Sequence, residues 1–320
     1  MSGQLVALNG ATGFIGRHLL RELPKRGYRV RVLLRRPTVL PPEATGAVVG
    51  DLAAPRNMST ALAGVQAVIH SAGLAHGMSG LPEDDYRAIN TEATVALARA
   101  AARAGARRFV FLSSIRAQSG PTAADILTEA HDPQPTDAYG RSKLEAERGL
   151  ADAGIDWAAL RPVLVYGPGV KGNMAALLKL AQLAVPLPLG GLAARRSLLS
   201  VENLVEAIDA VLRADGPLRR PLIVADADPL TIPEMVAALR AGLGRRPGLI
   251  PVPPVLLRQA LRLAGHGEAF ERLAASLVAS PAALTELGWR PSIATRDGLA
   301  ALARDAAQQG DNPKEARATA

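Results

Sequence analysis

Apolar and polar positions change period repeatedly along this chain, and the changes mark out its elements. Residues 4–8 form a short apolar run ending in a glycine-rich turn, which predicts a buried strand. Residues 14–26 then take helical spacing, with Ile15, Leu19, Leu20 and Leu23 on one side. Residues 28–34 alternate and are rich in Val and Leu, which predicts a second strand. The pattern continues with strands at 47–49, 67–70, 108–112 and 157–160 and helices at 59–63, 84–104 and 138–153. Strands that alternate with helices imply right-handed crossovers and a doubly wound parallel sheet, an α/β fold.

After residue 160 the pattern loosens. Pro and Gly punctuate 162–200 and 244–254. The apolar segments at 173–184, 201–213, 232–242, 255–264 and 295–307 have helical period, with a short strand at 222–224. The division this predicts is a Rossmann domain over 1–165, completed by part of 197–225, and a smaller, mostly helical substrate-binding lobe over 166–307. Residues 308–320 are polar without an apolar face and read as a flexible tail.

Composition narrows the function classes. At 320 residues and 48% hydrophobic content the chain can bury a sizeable core. It has no cysteine, which excludes disulfides, thiolate catalysis and cysteine–zinc sites. The formal charge is +8, and only five of the 37 basic residues are lysines. A basic surface attracts nucleic acid or an anionic membrane. Here the arginines are scattered over many helices, so no nucleic-acid partner is expected, and the balance also suits an anionic substrate such as a nucleotide diphosphate. No apolar run approaches the ~20 residues of a spanning helix, and the start lacks an export signal. The expectation is a cytoplasmic protein with no integral membrane segment.

The first strand runs into Gly10, Gly13 and Gly16, spaced GxxGxxG. Gly10 allows the tight turn, Gly13 lets backbone approach a pyrophosphate, and Gly16 lets the helix pack close to the strand. Thr12, Phe14 and Ile15 complete the turn, and the helix N-terminus offers N–H donors to phosphate. The second strand ends in Arg35 and Arg36, where an NAD site places an acidic residue for the ribose 2′-hydroxyl. Two guanidiniums suit a 2′-phosphate and point to NADP(H). NAD stays possible if both arginines are merely solvated.

Further along, Tyr139 and Lys143 stand one helical turn apart behind Asp137, a candidate N-cap. With four tyrosines and five lysines in 320 residues, chance does not readily supply this pair. Hydride transfer at a carbinol carbon needs a proton to leave or join the oxygen. A free phenol, with a pKa of about 10, is a poor base at neutral pH, and a nearby ammonium lowers that value.

These motifs, with NGATGFIGRHLL at the start, resemble the extended short-chain dehydrogenase/reductases, the NAD-dependent epimerase/dehydratase family that includes UDP-galactose 4-epimerase and the sugar-nucleotide dehydratases and reductases. The resemblance covers about residues 4–305. It implies a catalytic set of Ser114, Tyr139 and Lys143, with Ser113 as the alternative hydroxyl. It implies cofactor contacts from Asp51, Leu52, Ala72, Gly73, Asn90 and Val163, and from Tyr139 and Lys143 themselves. His70 reads equally as a contact or as a packed polar residue. Asn173 and Arg196 would meet the substrate's diphosphate, beside Ser114 at the reacting oxygen, with ordinary loop polar groups as the other reading. The chain departs from the family at Ala117-Gln118-Ser119, where Val-Tyr-Gly is frequent, and it lacks the family's later Arg-x-Gly-Asp segment. No metal is implied. A homodimer through the helices at 84–104 and 138–153 is the family habit.

Three functions follow. The first is an NADPH-dependent sugar-nucleotide 4-ketoreductase. The second is a UDP-sugar 4-epimerase that retains NAD. The third, of another class, is a non-catalytic dinucleotide-binding scaffold or sensor, against which an intact Ser–Tyr–Lys set argues.

Overall fold

The structure is a computed structural model that describes residues 3–74 and 81–311. Its first half alternates as expected: β1 (Leu5–Asn9), α1 (Phe14–Lys25), β2 (Arg29–Leu34), β3 (Ala44–Val48), α2 (Met58–Leu62), β4 (Ala67–His70), α3 (Glu83–Tyr86), α4 (Ala93–Arg103), β5 (Arg108–Leu112), α5 (Ala138–Ala151) and β6 (Asp156–Pro162). There follow β7 (Leu164–Tyr166), α6 (Gly172–Gln182), β8 (Arg195–Arg196), β9 (Leu198–Ser200), α7 (Val201–Arg213), β10 (Arg220–Val224), β11 (Leu230–Thr231), α8 (Ile232–Gly242), α9 (Pro254–Leu263), α10 (Gly267–Ala274), α11 (Ala282–Glu286) and α12 (Thr295–Asp311). Seven strands form one sheet in the order β10-β6-β5-β4-β1-β2-β3. Every pairing in it is parallel. The order reverses between β1 and β4, which opens a crevice at the carboxyl edge.

The strands are apolar on both sides because both faces are covered. The pleat sends Val6 and Leu8 of β1 into a core with Leu19 and Leu23 of α1 and Leu204, Ile208 and Val211 of α7. Leu5 and Ala7 face the opposite core, with Leu97, Ala98 and Ala101 of α4 and Ala146 and Leu150 of α5. Small residues bring α4 and α5 together: a Cβ on Gly149 would stand 2.5 Å from Val95. A third core, in the helical C-terminal region, joins Met174 and Leu177 of α6 with Met235, Val236 and Leu239 of α8 and Leu299 and Leu302 of α12. Thr231 and Glu234 close a capping box at the start of α8.

Three expectations shift. The strand expected at 47–49 is Ala44–Val48, an edge strand whose exposed positions weaken its periodicity. The helix expected over 84–104 is interrupted by a π turn over Arg87–Glu92. The helix expected over 295–307 runs on to Asp311, and residues 312–320 of the expected tail lie outside the described residues.

Asn203 ties sheet to helical region. It is fully buried at the start of α7 and donates to Asp226 Oδ1 (2.7 Å) and the Ile293 carbonyl (2.9 Å). Its Oδ1 accepts from the backbone N–H of Ser292 and of Ile293 (3.1 Å each). Asn203→Ala strands several buried polar groups at once, and each costs about 1–3 kcal/mol. The variant is expected to unfold at clearly lower urea than wild type with an unchanged m-value, measured by circular dichroism.

Candidate active site

The loops that leave the carboxyl ends of the parallel strands bring together most of the residues singled out from sequence. After β1 come Gly10, Thr12, Gly13 and the start of α1 with Phe14, Ile15 and Gly16. Gly10 takes a φ of +87°, and a Cβ there would lie 2.5 Å from the Ala72 nitrogen after β4. A Cβ on Gly16 would lie 2.0 Å from the Gly10 carbonyl oxygen. These two glycines are fixed by close approach. Gly13 is different: its Cβ would meet only the Gly10 oxygen, at 3.4 Å, so its bare backbone faces open space.

Helix α1 has no side-chain cap and no acidic residue in its first turn. Its leading N–H groups therefore lack intrahelical acceptors and side-chain acceptors alike, and the positive end of the helix dipole is left for an anion. That geometry fits a dinucleotide pyrophosphate. Arg35 and Arg36 lie exposed just beyond β2, and Asp51 and Leu52 follow β3 after Gly50. Val163, buried after β6, donates its N–H to the Val224 carbonyl (3.1 Å).

At β5 two neighbouring hydroxyls diverge. Ser113 donates to buried Glu147, whereas a hydrogen bond joins the Ser114 hydroxyl to the Tyr139 phenol. Ser114 also caps a single 3₁₀ turn and accepts from the Arg116 N–H (3.1 Å). Tyr139 stands in the first turn of α5, which Asp137 caps by accepting from the Gly140 N–H (2.7 Å) and which Arg116 braces by pairing with the same carboxylate. A Cβ on Gly140 would lie 2.3 Å from the Arg116 carbonyl oxygen, so only glycine lets the helix start this close to the turn.

Lys143 is buried, donates to the Leu112 carbonyl (2.9 Å), and holds its ammonium 4.6 Å from the Phe111 ring centre and 5.9 Å from that of Tyr139. Burial pulls its pKa down to about 8, against the opposing pull of the Glu147 carboxylate. The Tyr139 pKa moves up, the reverse of the expectation from sequence. Burial outweighs the hydrogen bond from Ser114 and the charge of Arg116, and Asp137 and Tyr86 add to the rise.

Asn90, fully buried in the π turn, accepts from the Leu74 N–H (2.8 Å) and donates to the Leu74 carbonyl (3.2 Å) and the Ser142 hydroxyl (3.1 Å). It anchors the loop after β4 to α5 and sets Gly73 beside Lys143: a Cβ on Gly73 would be 2.7 Å from Asn90 Oδ1 and 3.3 Å from Lys143 Nζ. π turns concentrate at functional sites. His70 packs between the Asn9 side-chain amide and the Thr94 hydroxyl (2.9 Å each), and burial lowers its pKa to about 3, so it stays neutral.

A buried layer beneath these groups escaped the sequence reading. Arg161 of β6 pairs with Glu147 (2.5 Å) and also donates to Gln118, whose amide donates to the His131 carbonyl (2.6 Å). Glu147 follows Tyr139 and Lys143 at the same four-residue step, which was its one visible signal. Asn173 and Arg196 belong to the helical region. Asn173 is exposed in the first turn of α6, and Arg196 is half-buried on β8, where burial lowers its pKa.

The sequence profile of the NAD dependent epimerase/dehydratase family matches residues 6–224. The chain belongs to this family. A UDP-glucose 4-epimerase from Vibrio cholerae is 32% identical over 305 residues, which cover 92% of this chain and 93% of that one. A ceramide reductase from Caulobacter vibrioides is 31% identical over 78% of this chain and 74% of its own. Among solved family folds, MoeE5 in complex with UDP-glucose and NAD superposes with a TM-score of 0.74 at 26% identity, covering 97% of this chain and all of its own. The protein is thus an NAD(P)-dependent enzyme of the epimerase/dehydratase type. Among the described residues no group of His, Asp or Glu could hold a metal, and no helix is long and apolar enough to cross a membrane.

Lys143 supplies a pH test. Its folded pKa, about 8, lies below the free value of 10.5. The folded state therefore holds this proton less tightly than the unfolded state, and the resulting penalty, full below pH 8, fades as pH rises toward 10.5. Chemical denaturation of wild type and Lys143→Met should show the variant's relative stability falling between pH 8 and 10.5. A pH-independent difference would contradict the assignment.

Proposed function

We propose that this enzyme reduces a keto carbon of a UDP-sugar, at C4, with Tyr139 as proton donor. The observation that carries the reading is the Ser114–Tyr139 hydrogen bond with the Lys143 ammonium beside it. A nicotinamide dinucleotide held at the Gly10–Gly16 turn would supply the hydride. Tyr139 gives its proton to the carbinol oxygen as it forms, and its raised pKa keeps that proton in place at neutral pH. Ser114 holds the oxygen, and the Lys143 ammonium stabilises the phenolate that Tyr139 becomes once its proton has left. Asn173 and Arg196 hold the diphosphate, for which a planar guanidinium is apt.

NADPH is the cofactor of this reading. Arg35 and Arg36 end β2 with no carboxylate before Glu43, and both are exposed to a 2′-phosphate. Asp51, Leu52, Ala72, Gly73, Asn90 and Val163 complete the cofactor's surroundings. A cytoplasmic homodimer packed through the helices flanking the site belongs to the same reading. A second reading, a UDP-sugar 4-epimerase with retained NAD, is favoured by the Vibrio cholerae relative that matches almost end to end.

Incubation with NADPH or NADH and a UDP-4-keto-sugar separates the readings. Stoichiometric loss of NADPH supports the reductase. Interconversion of UDP-glucose and UDP-galactose without net redox supports the epimerase, and tight cofactor binding with neither activity supports a scaffold. Tyr139→Phe is expected to lower kcat at least about 100-fold with cofactor affinity retained. Replacing Arg35 and Arg36 by Ala should weaken NADPH roughly tenfold or more, given the strength of charge-assisted bonds, and leave NADH unchanged, by fluorescence titration.

A further inference from the structure

The helical C-terminal region carries an apolar surface that none of the foregoing chemistry uses. Six large aliphatic side chains, Leu183, Val185, Ile250, Val255, Leu256 and Leu263, stand exposed on two stretches of chain, with Leu263 at 91% and Val255 at 65%. The stretches lie side by side. The Ile250 N–H donates to the Leu187 carbonyl, and the Leu187 N–H donates to the Gly248 carbonyl (2.9 Å each). Buried Arg240 clamps both, donating to the carbonyls of Leu183 and Val185 on one and of Pro247 and Gly248 on the other. On α9, Leu256 and Leu263 are seven residues apart and share a face, while Leu257 turns inward to the core.

The charge around these residues is one-sided. Residues 157–201 contain no Asp or Glu, and neither do residues 235–267. Arg245, Arg246, Arg258 and Arg262 are exposed within the second stretch. Glu271 of α10 pairs with Arg258 (2.8 Å). Exposed Leu and Val on a short helix, rimmed by arginines of which, among the described residues, only Arg258 is paired with a carboxylate, is the composition of a helix that lies in the interface of an anionic bilayer.

We propose that this face docks the enzyme peripherally on an anionic lipid surface, with α9 lying flat, Leu256 and Leu263 in the acyl boundary and the arginines on the headgroups. A second copy of the chain fits less well. A two-fold contact would set Arg245, Arg246 and Arg262 against their own copies, and like charges across an interface are costly. Residues 312–320 have no apolar run in sequence that would match this face.

The test is co-sedimentation of the full chain with phosphatidylcholine vesicles, with and without about one-third phosphatidylglycerol. Wild type is expected to pellet with the anionic vesicles alone and to be released by salt, as screening requires. Leu256→Glu with Leu263→Glu should abolish binding. Arg245→Gln and Arg246→Gln should lower the partition coefficient roughly fivefold per arginine. All three variants should keep the wild-type melting temperature and the turnover of soluble substrate, since none of these side chains is buried. Failure to pellet, or equal pelleting with both kinds of vesicle, overturns the proposal. So does a wild-type dimer, seen by sedimentation velocity without lipid, that Leu256→Glu with Leu263→Glu converts to monomer, because the face would then belong to a second copy.

Discussion

Tyr139 reaches Ser114 because α5 begins against the backbone of the turn that follows β5. The contact is one of backbone to backbone. Gly140 lies under the Arg116 carbonyl where no side chain fits, Asp137 caps the helix on one carboxylate oxygen, and Arg116 pairs with the other. A helix started half a turn earlier or later would turn Tyr139 away from the crevice. The buried layer below holds the same two elements from the other side, since Glu147 of α5 receives Ser113 from β5 and Arg161 from β6. A buried ion pair of this kind adds little net stability, but it fixes geometry, because breaking it leaves a charge with no partner. Tyr139 is therefore held between a close backbone approach and a buried network.

The crevice itself follows from the strand order. β1 and β4 pair with each other, and their following loops diverge toward α1 on one side and toward α3 and α4 on the other. Gly10 touches the backbone of the β4 loop where the two separate, and Asn90 reaches that loop from the opposite wall. One loop thus touches both the glycine turn after β1 and the Asn90–Lys143 wall.

The parts legible in sequence are those where local pattern and tertiary demand coincide. β4, β5, α7 and α8 fall where periodicity puts them, because each is buried along its length and its pattern has no competing reading. β7, β8, β9 and β11, of two or three residues, are too short to carry a period. The π turn is invisible for another reason: Asn90 holds it through bonds to residues 16 and 52 positions away. In the site, spacing revealed Tyr139 and Lys143, but adjacency hid the distinction between Ser113 and Ser114. At the end of a strand successive side chains point to opposite faces. The fold sends one to the Glu147 network and the other to Tyr139. Gly140 was silent and Glu147 showed only its four-residue step, because their roles are contacts with Arg116 and Arg161, distant along the chain.

Electrostatics shows the same division. From two residues alone, an ammonium one turn from a phenol lowers the phenol's pKa. In the folded protein Lys143 spends a hydrogen bond on the Leu112 carbonyl and is itself weakened as an acid-stable cation by burial, while burial raises Tyr139. Both groups are thus pushed toward their neutral forms, a proton-bearing phenol beside an amine that ionises near neutral pH. In the proposed reduction a phenol in that state is set to donate, and the Lys143 ammonium, 5.9 Å from the ring centre, steadies the phenolate that remains.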